Sequence, residues 1–186
     1  KDKAILQHTR EIGWFTDILR ANKVRSYLEI GSKHGGSLWW VANSLPKGSR
    51  VASIDLPGGD GSFKETKPSL NACVEQLKAL GYDAHLCLTD STSPEAIEFA
   101  KRLGPFDAVF IDGCHTLEGV KADWKNYGPM GRLVAFHDIG WKREGVTGKN
   151  AAIRVPELWA RLKADYRHEQ ITESHKDNGI GVLWRS

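Results

Sequence analysis

The sequence predicts an α/β fold: a doubly wound sheet of five parallel strands with helices on both faces, completed by a C-terminal antiparallel hairpin strand. Three observations carry this expectation. Short β-branched runs alternate with helical patterns along most of the chain, the rhythm of βαβ units. Each of the first five runs is short and mostly apolar, as strands buried on both faces are. The last two runs are joined only by residues 174–179, ending in Asn178-Gly179, which suits a hairpin and so reverses the final strand against its neighbour.

A leading amphipathic helix over residues 1–22 sets Ile5, Ile12, Phe15 and Leu19 on one face, suited to covering the sheet. Parallel strands are expected at 27–30, 50–54, 84–88, 108–111 and 133–136, with helices at 37–44, 68–80, 94–103 and 116–127 between them. Residues 155–166 read as a helix with Pro156 in its first turn, followed by hairpin strands at 168–173 and 180–185. Two segments lack a regular pattern, 56–67 and 139–150, and both are rich in glycine and charge. Each follows a strand, where ligands gather in open sheets. Trp39, Trp40, Trp124 and Trp159 fall within helical patterns where burial accounts for them, whereas Trp141 stands in a loop.

At 186 residues the chain makes one domain, with a core between a sheet and two helix layers. Hydrophobic residues at 40% and charged residues at 26% lie in the ordinary globular range and exclude disordered or membrane compositions. The net charge of +3 comes from 26 basic residues against 23 acidic ones, interspersed rather than gathered in a stripe, which argues against a nucleic-acid partner. Cys73, Cys87 and Cys114 lack any CxxC spacing, so neither a disulfide framework nor structural zinc is indicated, and a reducing, cytoplasmic setting is expected. No apolar run approaches the roughly 18 residues of a spanning helix, and residues 1–10 lack the apolar core of a signal peptide. The chain opens at Lys1 rather than at methionine, so a trimmed leader stays open, as does assembly into a homo-oligomer.

The chemistry gathers at strand ends. After the first strand, Glu29-Ile30-Gly31-Ser32-Lys33-His34-Gly35-Gly36-Ser37 forms a glycine-rich turn that opens a helix. Gly31, Ser32, Gly35 and Ser37 can present backbone and hydroxyl groups to a ligand. Glu29 would repel the pyrophosphate of a dinucleotide but suits a ligand carrying an ammonium and a sulfonium. The alternative is a tight strand-to-helix corner. Asp55 ends the second strand, where a carboxylate can accept from both ribose hydroxyls; a turn aspartate beside Pro57-Gly58-Gly59 is the other reading. Asp90 and Ser91 end the third, as adenine contacts or as an ordinary helix start before Pro94.

The fourth strand ends in Asp112-Gly113-Cys114-His115 and the fifth in His137-Asp138. Asp112, His137 and Asp138 could supply oxygen and nitrogen ligands to Mg2+ or another divalent cation, which would polarise an acceptor hydroxyl. The alternative is that the acids bond loop backbone while the histidines pack beside the cofactor. His115 reads as a general base or as a cofactor neighbour. Asp112, His115, His137 and Asp138 are therefore the catalytic candidates.

These segments, LEIGSKHGGS at 28–37, SIDLPGG, FDAVFIDGCHTLEGVKADW at 106–124, RLVAFHDI at 132–139, VPELWARLK and GIGVLW, resemble the class I S-adenosylmethionine-dependent methyltransferases. The resemblance is to the branch with cephalosporin-hydroxylase-like and sugar or macrolide O-methyltransferases. It implies a Rossmann-like fold and S-adenosylmethionine framed by Glu29, Gly31, Asp55 and Asp90. It further implies a small hydroxylated acceptor and, in metal-dependent members, a cation at Asp112, His137 and Asp138. His137 stands where those members often carry an acid. A lid over the acceptor at 139–150, with Trp141, Lys142, Arg143 and Lys149, is one reading of the glycine-rich loop; a solvated loop is the other. A nicotinamide-dependent oxidoreductase and a non-catalytic cofactor-binding scaffold are the rival functions.

Overall fold

The structure, a computed structural model, describes residues 9–56, 66–141, 152–172 and 178–185. The chain runs α1 (Thr9–Ala21), β1 (Ser26–Ile30), α2 (Gly36–Ser44), β2 (Arg50–Asp55), α3 (Thr66–Ala79), β3 (Asp83–Leu88), α4 (Pro94–Leu103), β4 (Phe106–Ile111), α5 (Leu117–Tyr127), a short 3-10 turn (Gly128–Met130), β5 (Gly131–His137), α6 (Val155–Asp165), β6 (Arg167–Ile171) and β7 (Ile180–Trp184). Each expected strand and each later helix is there, shifted at its ends by a residue or two, while the expected leading helix over 1–22 is described from Thr9, its first eight residues lying outside the described ones. Ile5 and Lys142, Arg143 and Lys149 of the expected lid lie outside the described residues.

The strands lie in the order β3-β2-β1-β4-β5-β7-β6. β1 to β5 pair in parallel, and β7 runs antiparallel between β5 and β6. Because β6 is also antiparallel to β7, it points the same way as the first five strands, so β7 alone is reversed. The chain leaves β1 toward β2 and β3, then returns to β4 on the other side of β1. This reversal is the topological switch point, where the loops diverge and leave a crevice at the carboxyl edge.

Strict alternation along each strand divides the core into two layers. Tyr27, Val51, Ala84, Ala108, Phe110, Leu133 and Ala135 face one way and pack with α1, α2 and α3. Leu28, Ile30, Ala52, Ile54, Val109, Ile111, Val134 and Phe136 face the other and meet α4, α5 and α6. α1 lays Ile12, Phe15 and Leu19 on the first layer, as its spacing predicts, but Glu11 of the same face is also fully buried. The helix starts carry their signals: Ser93 caps α4 by accepting from the Ala96 N–H, with Pro94 in the first turn, and Thr116 caps α5 by accepting from Gly119.

The tryptophans divide. Trp159 is buried and its indole N–H donates to Gln170 at 2.8 Å, while Trp124 packs on Phe136 and Tyr166. Trp40, expected in the core, is instead exposed on the outer side of α2, because Leu38, Val41 and Ala42 take the inward positions of this short helix. Among the described residues, no helix is long and apolar enough to cross a membrane.

At Gly181 of β7 a Cβ would come within 2.5 Å of the Trp159 ring, so the indole of α6 lies directly on the strand backbone there. Gly181→Ala should cost about 1–3 kcal/mol through overpacking. Urea denaturation would register it as a lowered midpoint with unchanged slope, and an unchanged midpoint would show that α6 can yield.

Candidate functional site

β1 leads into the glycine turn without a break: the Gly31 N–H continues the ladder to the Ile54 carbonyl at 2.8 Å. Gly31 has φ +86°, and a Cβ there would sit 2.2 Å from the Asp112 carbonyl oxygen. Only glycine fits both the left-handed backbone and that approach. The turn curls on through Lys33, also left-handed at φ 51°, and Gly35 forms the N-cap of α2.

Beneath the turn, Glu29 is fully buried. Its Oε2 accepts from the Tyr27 hydroxyl at 2.6 Å and its Oε1 from the Ser37 hydroxyl at 2.7 Å. Oε1 thus braces β1 against the first turn of α2, while Oε2 is held from within the strand. Burial raises the Glu29 carboxyl from an ordinary 4.5 to about 7, although the hydrogen bonds from Tyr27 and Ser37 work the other way. Ser32 is buried as well and accepts from the Ser53 hydroxyl at 2.7 Å.

Asp55, at the end of β2, reaches across to the turn, its Oδ2 accepting from the Lys33 backbone N–H at 2.8 Å. Asp90 behaves differently. It is exposed, and its Oδ1 takes the Thr92 hydroxyl at 2.6 Å and the Thr92 N–H at 2.7 Å. This is a local turn motif, and the two Thr92 donors hold the Asp90 carboxyl below its usual range. Ser91 turns inward and donates to Asp123 Oδ1 at 2.7 Å.

Asp123 lies on the buried face of α5, with its Oδ2 against Gly113 of the loop after β4, where a Cβ would stand 3.2 Å away. Tyr127, one turn further, donates to the Ser91 carbonyl. One helix face therefore ties the loop after β3 to the loop after β4. Burial raises the Asp123 carboxyl to about 6 against the pull of the Ser91 hydroxyl.

At the ends of β4 and β5, the groups whose ligand atoms lie within 4.8 Å of one another are Asp112, His115 and Asp138. His115 Nε2 stands 3.4 Å from Asp112 Oδ1 and 3.5 Å from Asp138 Oδ2. Asp138 adopts φ 60°, a left-handed conformation that aspartate takes more readily than most side-chain-bearing residues. Its Oδ1 is buried and has no hydrogen-bond partner among the described residues.

The expected set had His137 where this one has His115, and His137 Nδ1 also lies near both carboxylates, 3.1 Å from Asp112 Oδ1 and 3.5 Å from Asp138 Oδ1. Strand alternation sets its surroundings. His137 is the last residue of β5 and follows Leu133 and Ala135 onto the α1 side, so its ring is 5% exposed and edges against Phe110. There Nδ1 donates to Asp112 Oδ1 at 3.1 Å, and Nε2 faces Glu11 of α1. His137 thus meets the two carboxylates from the buried side, whereas His115 is partly exposed. Burial opposes its charge, but Asp112, Asp138 and Glu11 together lift it to about 9. Burial likewise opposes the charge on Asp112, yet His137 and His115 hold that carboxyl well below the usual range.

A family described as a methyltransferase domain matches residues 28–139. The chain belongs to this methyltransferase family. The matched stretch runs from β1 to Ile139, just past Asp138, and so takes in the glycine turn, Asp55, Asp90, Asp112, His115, His137 and Asp138. No curated protein matches the chain. Among solved structures, it resembles the O-methyltransferase TomG of Streptomyces achromogenes in complex with SAM, at 18% identity and a TM-score of 0.67 over 100% of this chain and 83% of that one. An O-methyltransferase from Bacillus cereus in complex with SAH aligns at 15% identity and TM-score 0.68, covering 100% and 84%. The SAH-bound Podospora anserina methyltransferase PaMTH1 aligns at 14% and 0.67, covering 97% and 80%. At these identities the likeness is one of fold, including the reversed strand near the end of the sheet.

Three buried residues in contact with these strand-end groups escape a reading of strand ends: Tyr27, Glu11 and Asp123. The last two share a signal. Each is an acid on an otherwise apolar helical stripe, Glu11 with Ile12, Phe15 and Leu19, and Asp123 with Val120 and Tyr127. A charge at such a position is costly unless the fold pairs it.

Glu29 makes stability depend on pH. Its folded value, about 7, exceeds the ordinary 4.5, so its contribution is fully present below pH 4.5 and is lost as pH rises through 7. The loss amounts to roughly 3 kcal/mol. Urea titrations across that interval should show wild-type stability falling relative to Glu29→Gln, which carries no proton to lose; parallel curves would place the ionisation elsewhere.

Proposed function

We propose that this methyltransferase moves the methyl group of S-adenosylmethionine to an oxygen of a small hydroxylated acceptor, with a divalent cation such as Mg2+ held by Asp112, His115 and Asp138. The observation that carries this reading is a junction: the glycine turn of β1 is in backbone contact with Asp112 of the cation set, at a point where a Cβ on Gly31 could not fit. Cofactor and acceptor positions would then adjoin, as direct transfer needs.

The residues fit both groups. Gly31 to Ser37 curl around the crevice at the switch point, and Asp55 stands at the neighbouring strand end to accept ribose hydroxyls. SAM and SAH in TomG and in the Bacillus cereus enzyme support the choice of cofactor. For the cation, two carboxylates and one imidazole make a hard, oxygen-rich donor set, and the buried Asp138 Oδ1 accepts no hydrogen bond among the described residues. When bound, S-adenosylmethionine supplies a methyl on a sulfonium, and the cation would lower the pKa of an acceptor hydroxyl.

The protein's own part is to position and to hold charge. Glu29, through Ser37, fixes the helix start under the cofactor. Asp123 and Tyr127 hold the loop bearing Asp90 and Ser91 against the loop bearing His115. His137, with carboxylates at both nitrogens, keeps Asp112 ionised and turned toward the cluster. In the transfer the acceptor oxygen would bond the methyl carbon as the carbon–sulfur bond breaks, leaving the neutral thioether S-adenosylhomocysteine, and the acceptor proton would pass to solvent.

Radiolabelled methyl transfer to a panel of hydroxylated compounds, with and without chelator, tests the reading. Turnover should fall on chelation and return with Mg2+. Asp138→Asn should lower cation affinity by more than the roughly 10- to 100-fold typical of losing an outer-shell partner. Turnover untouched by thorough chelation would remove the cation, and calorimetry showing tight NADH binding without S-adenosylmethionine binding would overturn the methyl-transfer reading altogether.

A further inference from the structure

Glu11 lies outside the residues matched by the methyltransferase family, on a helix whose sequence reads as a plain cover for the sheet. Yet it is fully buried, where an ionisable side chain is seldom found without a partner. One oxygen is accounted for. Oε1 accepts from the Gly179 backbone N–H at 3.0 Å, which pins α1 to the entry of β7.

The other oxygen points at the site. Oε2 has no hydrogen-bond partner among the described residues, and neither does His137 Nε2, which lies 4.0 Å away. These are two buried polar atoms of complementary kind facing each other, and His137 meets Asp112 Oδ1 through its opposite nitrogen at 3.1 Å. The order is carboxylate, imidazole, carboxylate, running from α1 to the end of β4. A ring bonded to an acid at one nitrogen and facing a second acid across 4.0 Å at the other is biased to one orientation, and that orientation bears on where the Asp112 carboxylate points. Outer partners of this kind set ligand geometry in metal sites, where a ring N–H is commonly fixed by a carboxylate.

We propose that Glu11 is a positioning residue for the cation site: through His137 it fixes the direction in which Asp112 offers its oxygens to the ion. The proposal rests on the cation reading given above. A purely structural role for Glu11 is the competitor, since the bond from Gly179 alone would justify burying it. The two separate at Glu11→Gln, whose amide oxygen can still accept from Gly179 while the face toward His137 loses its charge.

The test is Mn2+ binding to the full chain without cofactor or acceptor, followed by electron paramagnetic resonance and by calorimetry, alongside the thermal melting temperature. Glu11→Gln should weaken Mn2+ binding by roughly 10- to 100-fold, and Ile12→Val, a trimmed core neighbour on the same helix, should leave it unchanged while lowering the melting temperature. Should Glu11→Gln fail to fold, Glu11→Asp, which keeps the charge but withdraws it by one methylene, is expected to weaken Mn2+ binding in the same direction. Wild-type Mn2+ affinity retained in a folded Glu11 variant would overturn the positioning role and leave the cation reading standing. Absence of Mn2+ binding by the wild-type protein would overturn both.

Discussion

The site depends on one close approach. At the switch point of the sheet, the turn after β1 and the loop after β4 come so near that a Cβ on Gly31 would overlap the Asp112 carbonyl. The ladder carries both segments past their strands, with Gly31 bonded to Ile54 and Asp112 to Ile30. Their separation is therefore a property of the sheet and not of flexible loops. A crevice bounded on one side by backbone amides and on the other by an acid follows from that geometry.

Around this point the molecule arranges buried charge. Glu29 lies on one side, protonated up to about pH 7 and bonded to two hydroxyls. On the other, His137 carries positive charge among Asp112, Asp138 and Glu11. Each buried acid in the set has a donor or a cation beside it, as low dielectric demands. The excess is negative at Asp112 and Asp138, the two acids that meet His115 at the edge of the cluster.

Much of the fold was legible because strands buried on both faces are short and apolar in sequence. β1 to β5 appear where such runs occur, and the reversed strand follows from Asn178-Gly179. The insertion of β7 between β5 and β6 was not legible, since pairing partners of an edge strand are chosen by packing across the sheet. In the site, positions at strand ends were readable but directions were not. His137 and Asp138 are consecutive, and strand alternation sends the first toward α1, while a left-handed backbone at the second turns it to the cluster. Asp90 bends back on Thr92, a local bond that no spacing rule reveals. Glu11 and Asp123 were passed over because a helical stripe is read by its apolar members, and the acid among them is the informative one.

The bond between Glu11 and Gly179 joins residues 168 positions apart. The reversed strand that Gly179 introduces must slot between β5 and a strand made before it. Contacts of such long sequence separation are closed late and slowly. During synthesis, then, a chain already holding all five parallel strands still has an open sheet edge at β5 and a buried acid without its backbone donor. The contact that buries Glu11 is therefore made only when β7 lies beside β5.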